Sequence, residues 1–318
     1  MKILLITPAP RGSRYGNRVT ALRWASILRS LGHRVSVQTQ YNGERCHLLI
    51  GLHARRSASS MQTYKEAHPD LPLILAVTGT DLYQDIRHDP SAQRSLNLAD
   101  RIVALQRLAS DELPEHLRHK VVPIIQSARP TPGVNGVRSD SFEVSVVGHL
   151  RPVKDPFRAA MASRLLPPES SIRIVQVGGA MSAGMERRAQ TEAAHNPRYR
   201  WLGEVPRWRT RRIIKRSRVM VVSSKLEGGA NVVSEAMADS VPVIASRIPG
   251  NIGLLGGEYP GYYTQGDTRE LSHLLRRAEL DPAYLAELRE HVSQRGDMVR
   301  PEAERSSWET LLNSLTPD

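Results

Sequence analysis

The chain has 318 residues, more than the ~250–300 that a single hydrophobic core usually supports, so two domains are expected. Its one cysteine, Cys46, excludes an intrachain disulfide and a cysteine-based metal cluster, which fits a reducing compartment. The net charge of +12 is carried mostly by arginine and is spread along the chain. It fits either a solvated basic surface or substrates that carry phosphate.

The apolar run at the start of the chain is short and ends at Pro8, unlike a signal peptide. No other run approaches the ~20 apolar residues needed to span a bilayer. We therefore expect a cytoplasmic protein.

Short apolar runs alternate with helical patterns through the first half. Residues 2–6 predict a buried strand, residues 19–28 a helix that Gly32 ends, and residues 34–37 the next strand. Further strands are predicted at 48–50, 73–77, 102–105 and 121–125. This alternation is typical of a doubly wound parallel sheet, in which ligands bind beyond the carboxyl ends of the strands.

Residues 127–141 are rich in proline and glycine and show no apolar period, which predicts a linker. The rhythm then restarts, with strands predicted at 142–147, 172–177, 219–223 and 242–245 and helices at 209–216 and 231–238. The sequence thus predicts an N-terminal domain over 1–135 and a C-terminal domain over 136–300. Residues 301–318 are predicted as a C-terminal helix. It could belong to the C-terminal half, or it could pack back on the N-terminal domain.

The stretch from Ser223 to Ala238 carries two carboxylates eight positions apart, Glu227 and Glu235. Glycines between them let a ligand approach the backbone, and Asn231 is expected to cap the helix that follows. The amides at the start of that helix would bind an anion. Taken alone, this stretch fits a structural interpretation, with Glu227 in a surface loop and Glu235 as a charge at the start of a helix, as well as it fits a ligand site.

A second loop, residues 148–154, follows the first strand of the second half and carries Arg151 and Lys154. Two cations and helix amides at one sheet edge can neutralise a departing nucleoside diphosphate without a metal. The sequence has no Asp-x-Asp motif, so we expect metal-independent chemistry and no cofactor.

In this order, the two motifs resemble the donor site of family-four retaining glycosyltransferases. Their pattern of two spaced glutamates, Ala-Met-Ala and Pro-Val-Ile is matched at 227–244, and their Gly-x-Leu-x-x-x-Lys loop at 148–154. The resemblance implies an α/β protein of the GT-B fold, with two Rossmann-like, doubly wound parallel-sheet domains facing a cleft. It covers nearly the whole chain.

The same resemblance implies roles for individual residues. Glu235 would bind the ribose hydroxyls of the nucleotide, Glu227 would face the donor sugar, and Lys154 and Arg151 would contact the diphosphate. The other donor-binding residues that it implies are Gly148, Gly178, Gly228, Gly229, Ala230 and Asn231.

The sequence departs from the family pattern at several positions. His149 stands where the family usually has arginine, and Arg151 is expected to substitute for it. Ser240 replaces a common glycine. Thr78 precedes Gly-Thr-Asp where the family often has histidine, which implies a different acceptor or a different way of handling it.

The loop at 7–18 contains three arginines and two glycines before a helix. It lacks the Gly-x-Gly-x-x-Gly dinucleotide fingerprint but suits a small anion. His53 and Arg55 follow another predicted strand, and a structural and a functional role for His53 both stay open.

Residues 8–24, 52–57 and 249–256 are similar to the selenosugar synthases of selenoneine biosynthesis. This similarity implies transfer of a sugar from UDP-N-acetylglucosamine or UDP-glucose to selenophosphate, with loss of UDP and phosphate to give a 1-selenosugar. Selenophosphate is already an anionic nucleophile, so the chemistry does not require a general base. The implied catalytic residues are Glu227, Lys154, Arg151 and His53. The implied acceptor residues are Arg11, Arg14, Gly16, Asn17, Arg18, His53, Arg55 and Thr78.

Two alternatives remain. One is a conventional retaining glycosyltransferase acting on a hydroxyl of a sugar or lipid, and the other is a basic nucleic-acid-binding protein. The nearest nucleic-acid candidate is the arginine-rich run at 207–212, but its pattern favours the solvated face of a helix packing through Trp208, Ile213 and Ile214. We expect neither a nucleic acid nor a membrane as partner.

Overall fold

The computed structural model describes residues 1–13, 15–79, 81–133 and 141–315. The chain divides into two compact units. Unit 1 is Met1–Gln126 together with the segment from Pro301 onward, and unit 2 is Ser127–Arg300. The division lies nine residues before the predicted boundary at 135. The reason is that Thr131 donates its backbone N–H and its hydroxyl to Asp239 of unit 2, at 2.7 and 2.6 Å.

Unit 1 contains a parallel six-stranded sheet with the strand order β2-β1-β3-β4-β5-β6. Its strands are β1 (Lys2–Ile6), β2 (Arg34–Gln38), β3 (Leu48–Leu52), β4 (Leu73–Val77), β5 (Arg101–Ala104) and β6 (Val121–Pro123). Its helices are α1 (Gly16–Ser30), α2 (Ala58–Ala67), α3 (Ile86–His88), α4 (Pro90–Leu98) and α12 (Pro301–Asn313). Every residue of β3 and β4 is buried, as the continuous apolar runs predict for central parallel strands.

The last helix, α12, packs in the core of unit 1. Trp308 meets Trp24 of α1 edge to face, with ring centroids 4.9 Å apart, and both side chains are fully buried. The Trp24 indole N–H also donates to the Glu304 carboxylate at 2.9 Å. A chain in which aromatic residues are scarce thus uses two of its four tryptophans to join its two ends.

Unit 2 contains a second parallel six-stranded sheet, ordered β12-β11-β10-β7-β8-β9. Its strands are β7 (Phe142–Val147), β8 (Ile172–Val177), β9 (Tyr199–Trp201), β10 (Val219–Val222), β11 (Val243–Ser246) and β12 (Tyr262–Tyr263). Its helices are α5 (Arg158–Ser163), α6 (Ala183–His195), α7 (Arg207–Arg216), α8 (Asn231–Ala238), α9 (Pro249–Leu255), α10 (Thr268–Leu280) and α11 (Pro282–Gln294). The edge strands β9 and β12 were not predicted because two or three residues are too few to show a period.

Helix α7 corrects one prediction. Ile214 is buried as expected, but Trp208 is 62% exposed and does not pack into the core. Trp208 and Ile214 are six residues apart, so they lie about 120° apart around the helix and cannot share one inward face. Arg211 occupies the buried face instead, because its guanidinium pairs with the buried Asp239 carboxylate at 2.8 Å.

None of the helices in the described ranges is both long and apolar enough to cross a lipid bilayer.

Candidate functional site

In unit 2, the carboxyl ends of β7 and β8 are joined by backbone contacts. The N–H of Gly148 donates to the Val177 carbonyl at 2.8 Å, and the N–H of Leu150 donates to the Gly179 carbonyl at 2.9 Å. Gly178 has a φ of +143°, and a Cβ added there would lie 2.0 Å from the Gly148 carbonyl oxygen. Only glycine fits this approach, which fixes the loop at 148–154 beside the end of β8.

The loop after β10 is tied to the same basic loop. The Ser223 hydroxyl donates to the carbonyls of Lys154 and Asp155 at 3.1 and 2.9 Å, and the N–H of Lys225 donates to the Val153 carbonyl at 2.8 Å. These bonds hold the chain at Lys154 close to the chain that precedes Glu227. The two sequence motifs, more than 70 residues apart, therefore form one structural element.

Lys154 and Glu227 form an ion pair between Nζ and Oε1. The Ser224 hydroxyl donates to the same carboxylate oxygen at 2.5 Å. The Glu227 side chain is 9% exposed and that of Lys154 is 23% exposed. A nearly buried carboxylate next to a more accessible ammonium can hold a polar ligand while the ammonium binds an anion.

Residues that the sequence analysis did not identify hold the backbone on either side of Glu227. The Asn251 amide donates to the Ser246 carbonyl at 2.9 Å, and the Ser246 hydroxyl donates to the Ser224 carbonyl at 2.6 Å. At the start of α9, a Cβ added to Gly250 would lie 2.1 Å from the Glu227 carbonyl oxygen. The only signal was the resemblance at 249–256, which gave no reason for these contacts.

Helix α8 begins at Asn231, and Ala230 occupies the N-cap position without a side-chain hydrogen bond. The expectation that Asn231 caps this helix is therefore wrong, because Asn231 already belongs to the first turn. Gly228 and Gly229 lead directly into that turn. The start of α8 has no side-chain cap, which leaves its amides suited to an anion.

Glu235 lies one turn further along α8 and is 7% exposed. Its Oε1 accepts from Nη2 of Arg207, at the start of α7, at 3.1 Å. The backbone carbonyl of Glu235 accepts from the buried Arg211 at 3.4 Å. The structure thus places Lys154, Glu227, the start of α8 and Glu235 in the loops and helix that follow β7 and β10 of one sheet.

In unit 1, the carboxyl ends of the strands bring together three of the predicted acceptor residues. The Thr78 hydroxyl, after β4, donates to the Asn17 amide oxygen, on α1, at 2.8 Å. The N–H of His53, after β3, donates to the Ala76 carbonyl of β4 at 2.9 Å. His53 therefore lies one strand away from Thr78 at the same edge of the sheet.

His53 is buried, and its φ of +78° is rare for a residue with a side chain. Its Nε2 lies 3.7 Å from Oδ2 of Asp85, and its Nδ1 accepts from the N–H of Arg56 at 3.4 Å. Burial lowers the pKa of His53; Asp81 and Asp85 oppose this, while Arg55 and Arg56 add to it. The imidazole is held in place as a neutral group at neutral pH.

Asp81 is a residue of this edge that no sequence argument assigned a role. It is fully buried, and its carboxylate accepts from the N–H groups of Ala54 and Gly79 at 3.0 and 2.8 Å. A π-helical turn runs over Asp81–Asp85, a rare form that often marks functional sites. In the sequence this aspartate was noted only as part of the Gly-Thr-Asp sequence that follows Thr78, and it was given no role of its own.

The predicted arginines of unit 1 have different environments. Arg55 lies 3.5 Å from the Asp85 carboxylate, so its charge is already balanced. Arg11 is exposed beside Gly12, and Arg14 lies outside the described residues. Arg18, on α1, is 9% exposed, and its Nε has no hydrogen-bond partner among the described residues. Helix α1 begins at Gly16 without a side-chain cap.

The sequence profile of the family Glycosyl transferases group 1 matches residues 127–298, which is more than half of the chain. The chain belongs to this family. The match falls within unit 2, which carries Lys154, Glu227 and Glu235. Membership identifies the protein as an enzyme, a glycosyltransferase.

Two curated relatives extend the likeness beyond unit 2. Glycosyltransferase 1 domain-containing protein 1 of Xenopus tropicalis is 25% identical over 345 aligned positions, covering 99% of this chain and 98% of the relative. The D-inositol 3-phosphate glycosyltransferase of Rhodococcus opacus (strain B4) is 27% identical over 270 positions, covering 76% of this chain and 59% of the relative.

Solved structures confirm the predicted α/β GT-B fold. Anabaena HepE, crystallised in complex with UDP, superposes with a TM-score of 0.79 at 15% identity, covering 99% of this chain and all of HepE. The sucrose-phosphate synthase of Thermosynechococcus elongatus superposes with a TM-score of 0.77 at 16% identity, covering 99% and 98% of the two chains.

Two family departures, and the arginine expected to compensate for one of them, have definite places in the glycosyltransferase. The Nδ1 of His149 lies 3.7 Å from where a Cβ of Gly179 would stand, so His149 borders the glycine turn after β8. Arg151 is exposed and precedes the turn that ends at Lys154. Ser240 has a φ of +52° just after α8, a conformation that explains why glycine is common there.

Proposed function

We propose that the glycosyltransferase transfers a sugar from UDP-N-acetylglucosamine or UDP-glucose to selenophosphate. The observation that carries the proposal is the grouping of Lys154, Glu227, Glu235 and the uncapped start of α8 in the loops that follow β7 and β10. This combination has an ammonium and helix amides for a diphosphate and two carboxylates for hydroxyl groups. HepE, solved with UDP and with UDP-glucose, supports a uridine nucleotide as the donor.

In this proposal the donor replaces the Lys154–Glu227 ion pair. The diphosphate binds Lys154, the amides of α8 and Arg151. These donors stabilise UDP as it leaves. Glu227, released from the ammonium, accepts from hydroxyls of the sugar, and Glu235 accepts from the ribose hydroxyls. The hydroxyl of Ser224 keeps Glu227 in place during this exchange, because it binds the carboxylate independently of Lys154.

The acceptor is proposed to bind in unit 1 at the start of α1. Arg18 contributes a nearly buried guanidinium with an available Nε, and the uncapped amides at Gly16 and Asn17 contribute further donors. Arg11, exposed in the preceding loop, adds positive charge, and Arg14, which lies outside the described residues, is proposed as a further acceptor residue. Such a set of donors suits a small phosphate-like trianion rather than a bulky neutral sugar.

His53 acts in this site as a neutral hydrogen-bonding group, since burial lowers the pKa of its imidazole. Thr78 adds a hydroxyl one strand away, and Arg55 is held against Asp85. The reaction places no demand on a base. The selenium atom attacks the anomeric carbon, a C–Se bond forms, and the C–O bond to UDP breaks with its electron pair leaving on UDP. Water then cleaves the P–Se bond and releases phosphate and the 1-selenosugar.

The test is UDP release by the purified enzyme with each UDP-sugar, with and without selenophosphate, in the presence of a chelator. The expected result is UDP release that depends on selenophosphate, together with a selenium-containing sugar of the correct mass. Glu235→Gln should weaken the donor reaction, whereas Lys225→Ala, an exposed cation next to the site, should leave it unchanged.

Two results would overturn parts of the proposal. Saturable UDP-sugar binding with transfer only to a hydroxyl compound would replace the acceptor and keep the donor. The Rhodococcus relative is a D-inositol 3-phosphate glycosyltransferase, so inositol 3-phosphate is a suitable alternative acceptor to compare with selenophosphate in this assay. If no UDP-sugar binds at all, the donor assignment fails.

A further inference from the structure

Arg207 contacts Glu235 from outside the two motifs that define the donor site. It is the first residue of α7, its side chain is 60% exposed, and its Nη2 donates to Glu235 Oε1 at 3.1 Å. The Glu235 side chain is 10% exposed. An exposed arginine that reaches a nearly buried carboxylate limits the orientations open to that carboxylate.

The position of Arg207 is unfavourable for the helix that carries it. A positive charge in the first turn opposes the helix dipole, and the first turn of α7 contains no acidic residue to compensate. Helix stability therefore gives no reason for arginine at this position. The contact with Glu235 does give one.

Helix α7 is held firmly against α8, so Arg207 projects from a fixed point. Arg211, one turn along α7, donates to the backbone carbonyl of Glu235 at 3.4 Å and pairs with Asp239 at 2.8 Å. Pro206 precedes the helix, and its carbonyl accepts from the N–H of Arg209 at 2.9 Å. The Arg207 side chain needs no movement of the helix to reach the carboxylate.

We propose that Arg207 is a positioning residue that orients the Glu235 carboxylate for the nucleotide ribose. This inference rests on the proposed function, in which Glu235 binds the ribose hydroxyls. One carboxylate has acceptor sites for about four hydrogen bonds, so Arg207 can occupy one site while two hydroxyls occupy others. With Oε1 held by Arg207, the plane of the carboxylate is set before the nucleotide binds.

The test compares the binding of UDP and 2′-deoxy-UDP by calorimetry. The wild-type enzyme should prefer UDP by roughly 10-fold to 100-fold, as expected when a hydroxyl binds a charged carboxylate. Arg207→Gln should weaken UDP binding by about 10-fold and 2′-deoxy-UDP binding by a smaller factor, about threefold. The preference for UDP shrinks because 2′-deoxy-UDP keeps one of the two hydroxyls that use the oriented carboxylate, whereas UDP uses both.

Two further variants separate positioning from general charge. Arg207→Lys keeps the charge and a donor and should restore part of the preference, although it cannot reproduce the planar fork. Arg209→Gln removes an exposed arginine from the same turn and should leave both affinities unchanged. In steady-state kinetics Arg207→Gln should raise KM for the UDP-sugar and leave kcat within about twofold, since the contact is equal in ground and transition states.

Several outcomes would overturn the inference. Equal weakening of both nucleotides would mean that Arg207 acts through its charge alone, and tighter UDP binding would mean that it competes with the ribose. If Glu235→Gln abolishes the preference for UDP while Arg207→Gln keeps it, Glu235 retains its role and the positioning role of Arg207 is rejected. A wild-type enzyme that binds neither nucleotide would reject the proposed donor, and the inference with it.

Discussion

The two sheet edges hold their charged groups in different ways. In unit 2, each carboxylate assigned to the donor meets a cation from another segment, Glu227 with Lys154 and Glu235 with Arg207. In unit 1, the buried Asp81 binds backbone amides instead, and Asp85 is shared by His53 and Arg55. Arg18 keeps a nearly buried Nε with no partner among the residues that the structure describes.

This difference indicates what each edge is suited to bind. In unit 2 Lys154 is already paired with Glu227, so an anionic ligand that binds this ammonium must take it from the carboxylate, and Glu227 can then bind hydroxyls. A nucleotide sugar offers both kinds of group. In unit 1 the aspartates fix the backbone and the histidine, and the nearly buried Nε of Arg18 has no partner among the described residues and can bind an anion. The predictions below test whether this contrast holds.

The largest expected effect comes from Lys154→Ala. It removes the ammonium that we propose meets the diphosphate, and it leaves Glu227 nearly buried without its ion-pair partner. Removing one preorganised donor to a developing charge typically costs about 10²–10³ in rate, and we expect a loss of that size in kcat for sugar transfer. Steady-state assays with saturating UDP-sugar would measure it.

Lys225→Ala provides the matched control, since Lys225 is exposed in the adjoining loop that carries Glu227, and its backbone N–H, which the substitution keeps, makes its hydrogen bond to Val153. Its kcat should equal that of the wild type. A Lys154→Ala variant with less than about a tenfold loss would contradict the view that the unit 2 edge is organised around this ammonium.

The second effect concerns the glycine turn of unit 2. Gly178→Ala places a methyl group 2.0 Å from the Gly148 carbonyl oxygen at a φ of +143°. Overpacking and backbone strain together should lower the free energy of unfolding by about 2–4 kcal/mol. Urea denaturation would measure the loss. Gly257→Ala, where no atom lies within 4 Å of the added carbon, should change stability much less.

The third effect concerns Arg18, the nearly buried arginine of unit 1. Arg18→Gln should raise KM for selenophosphate by roughly 10-fold to 100-fold, the range expected for a lost charge-assisted hydrogen bond. UDP affinity should stay within about twofold, because Arg18 belongs to the acceptor edge in this proposal. Arg34→Gln serves as control, since Arg34 is exposed at the opposite, amino end of the same sheet. A change in UDP affinity as large as that in KM would erase the distinction between the two edges.

The sequence predicted the two sheets, whereas it did not predict most contacts within the candidate sites, for physical reasons. Apolar runs identify central parallel strands. The short separation between Glu227, in the loop after β10, and Glu235, on α8, carries both glutamates to the same edge. The pairing of Lys154 with Glu227 depends on hydrogen bonds between loops 70 residues apart, and no local pattern encodes them.

Trp208 shows a related limit. Its apolar side chain suggested burial, but the buried face of α7 is set by the long-range pair of Arg211 with Asp239. In unit 1, the burial of Asp81 and the positive φ of His53 likewise arise from contacts between strand ends. Sequence patterns report periodicity, whereas these features depend on which loops meet.

The smallest effect is a pH dependence of stability that arises from His53. Burial lowers the pKa of this imidazole below its unfolded value of about 6.5, so the unfolded chain binds the proton more readily than the folded one. The stabilisation from the neutral imidazole is complete above about pH 6.5 and is lost as the pH falls through the folded pKa.

Denaturation curves between about pH 7.5 and 5.5 should show declining stability in the wild type and a shallower decline in His53→Gln. His88→Gln removes an exposed histidine and should keep the wild-type slope. Asp81→Asn should steepen the decline, because it removes a carboxylate that raises the His53 pKa. An unchanged slope in both His53→Gln and Asp81→Asn would mean that burial in unit 1 does not hold a neutral histidine, and the contrast between the two edges would then rest on Arg18 alone.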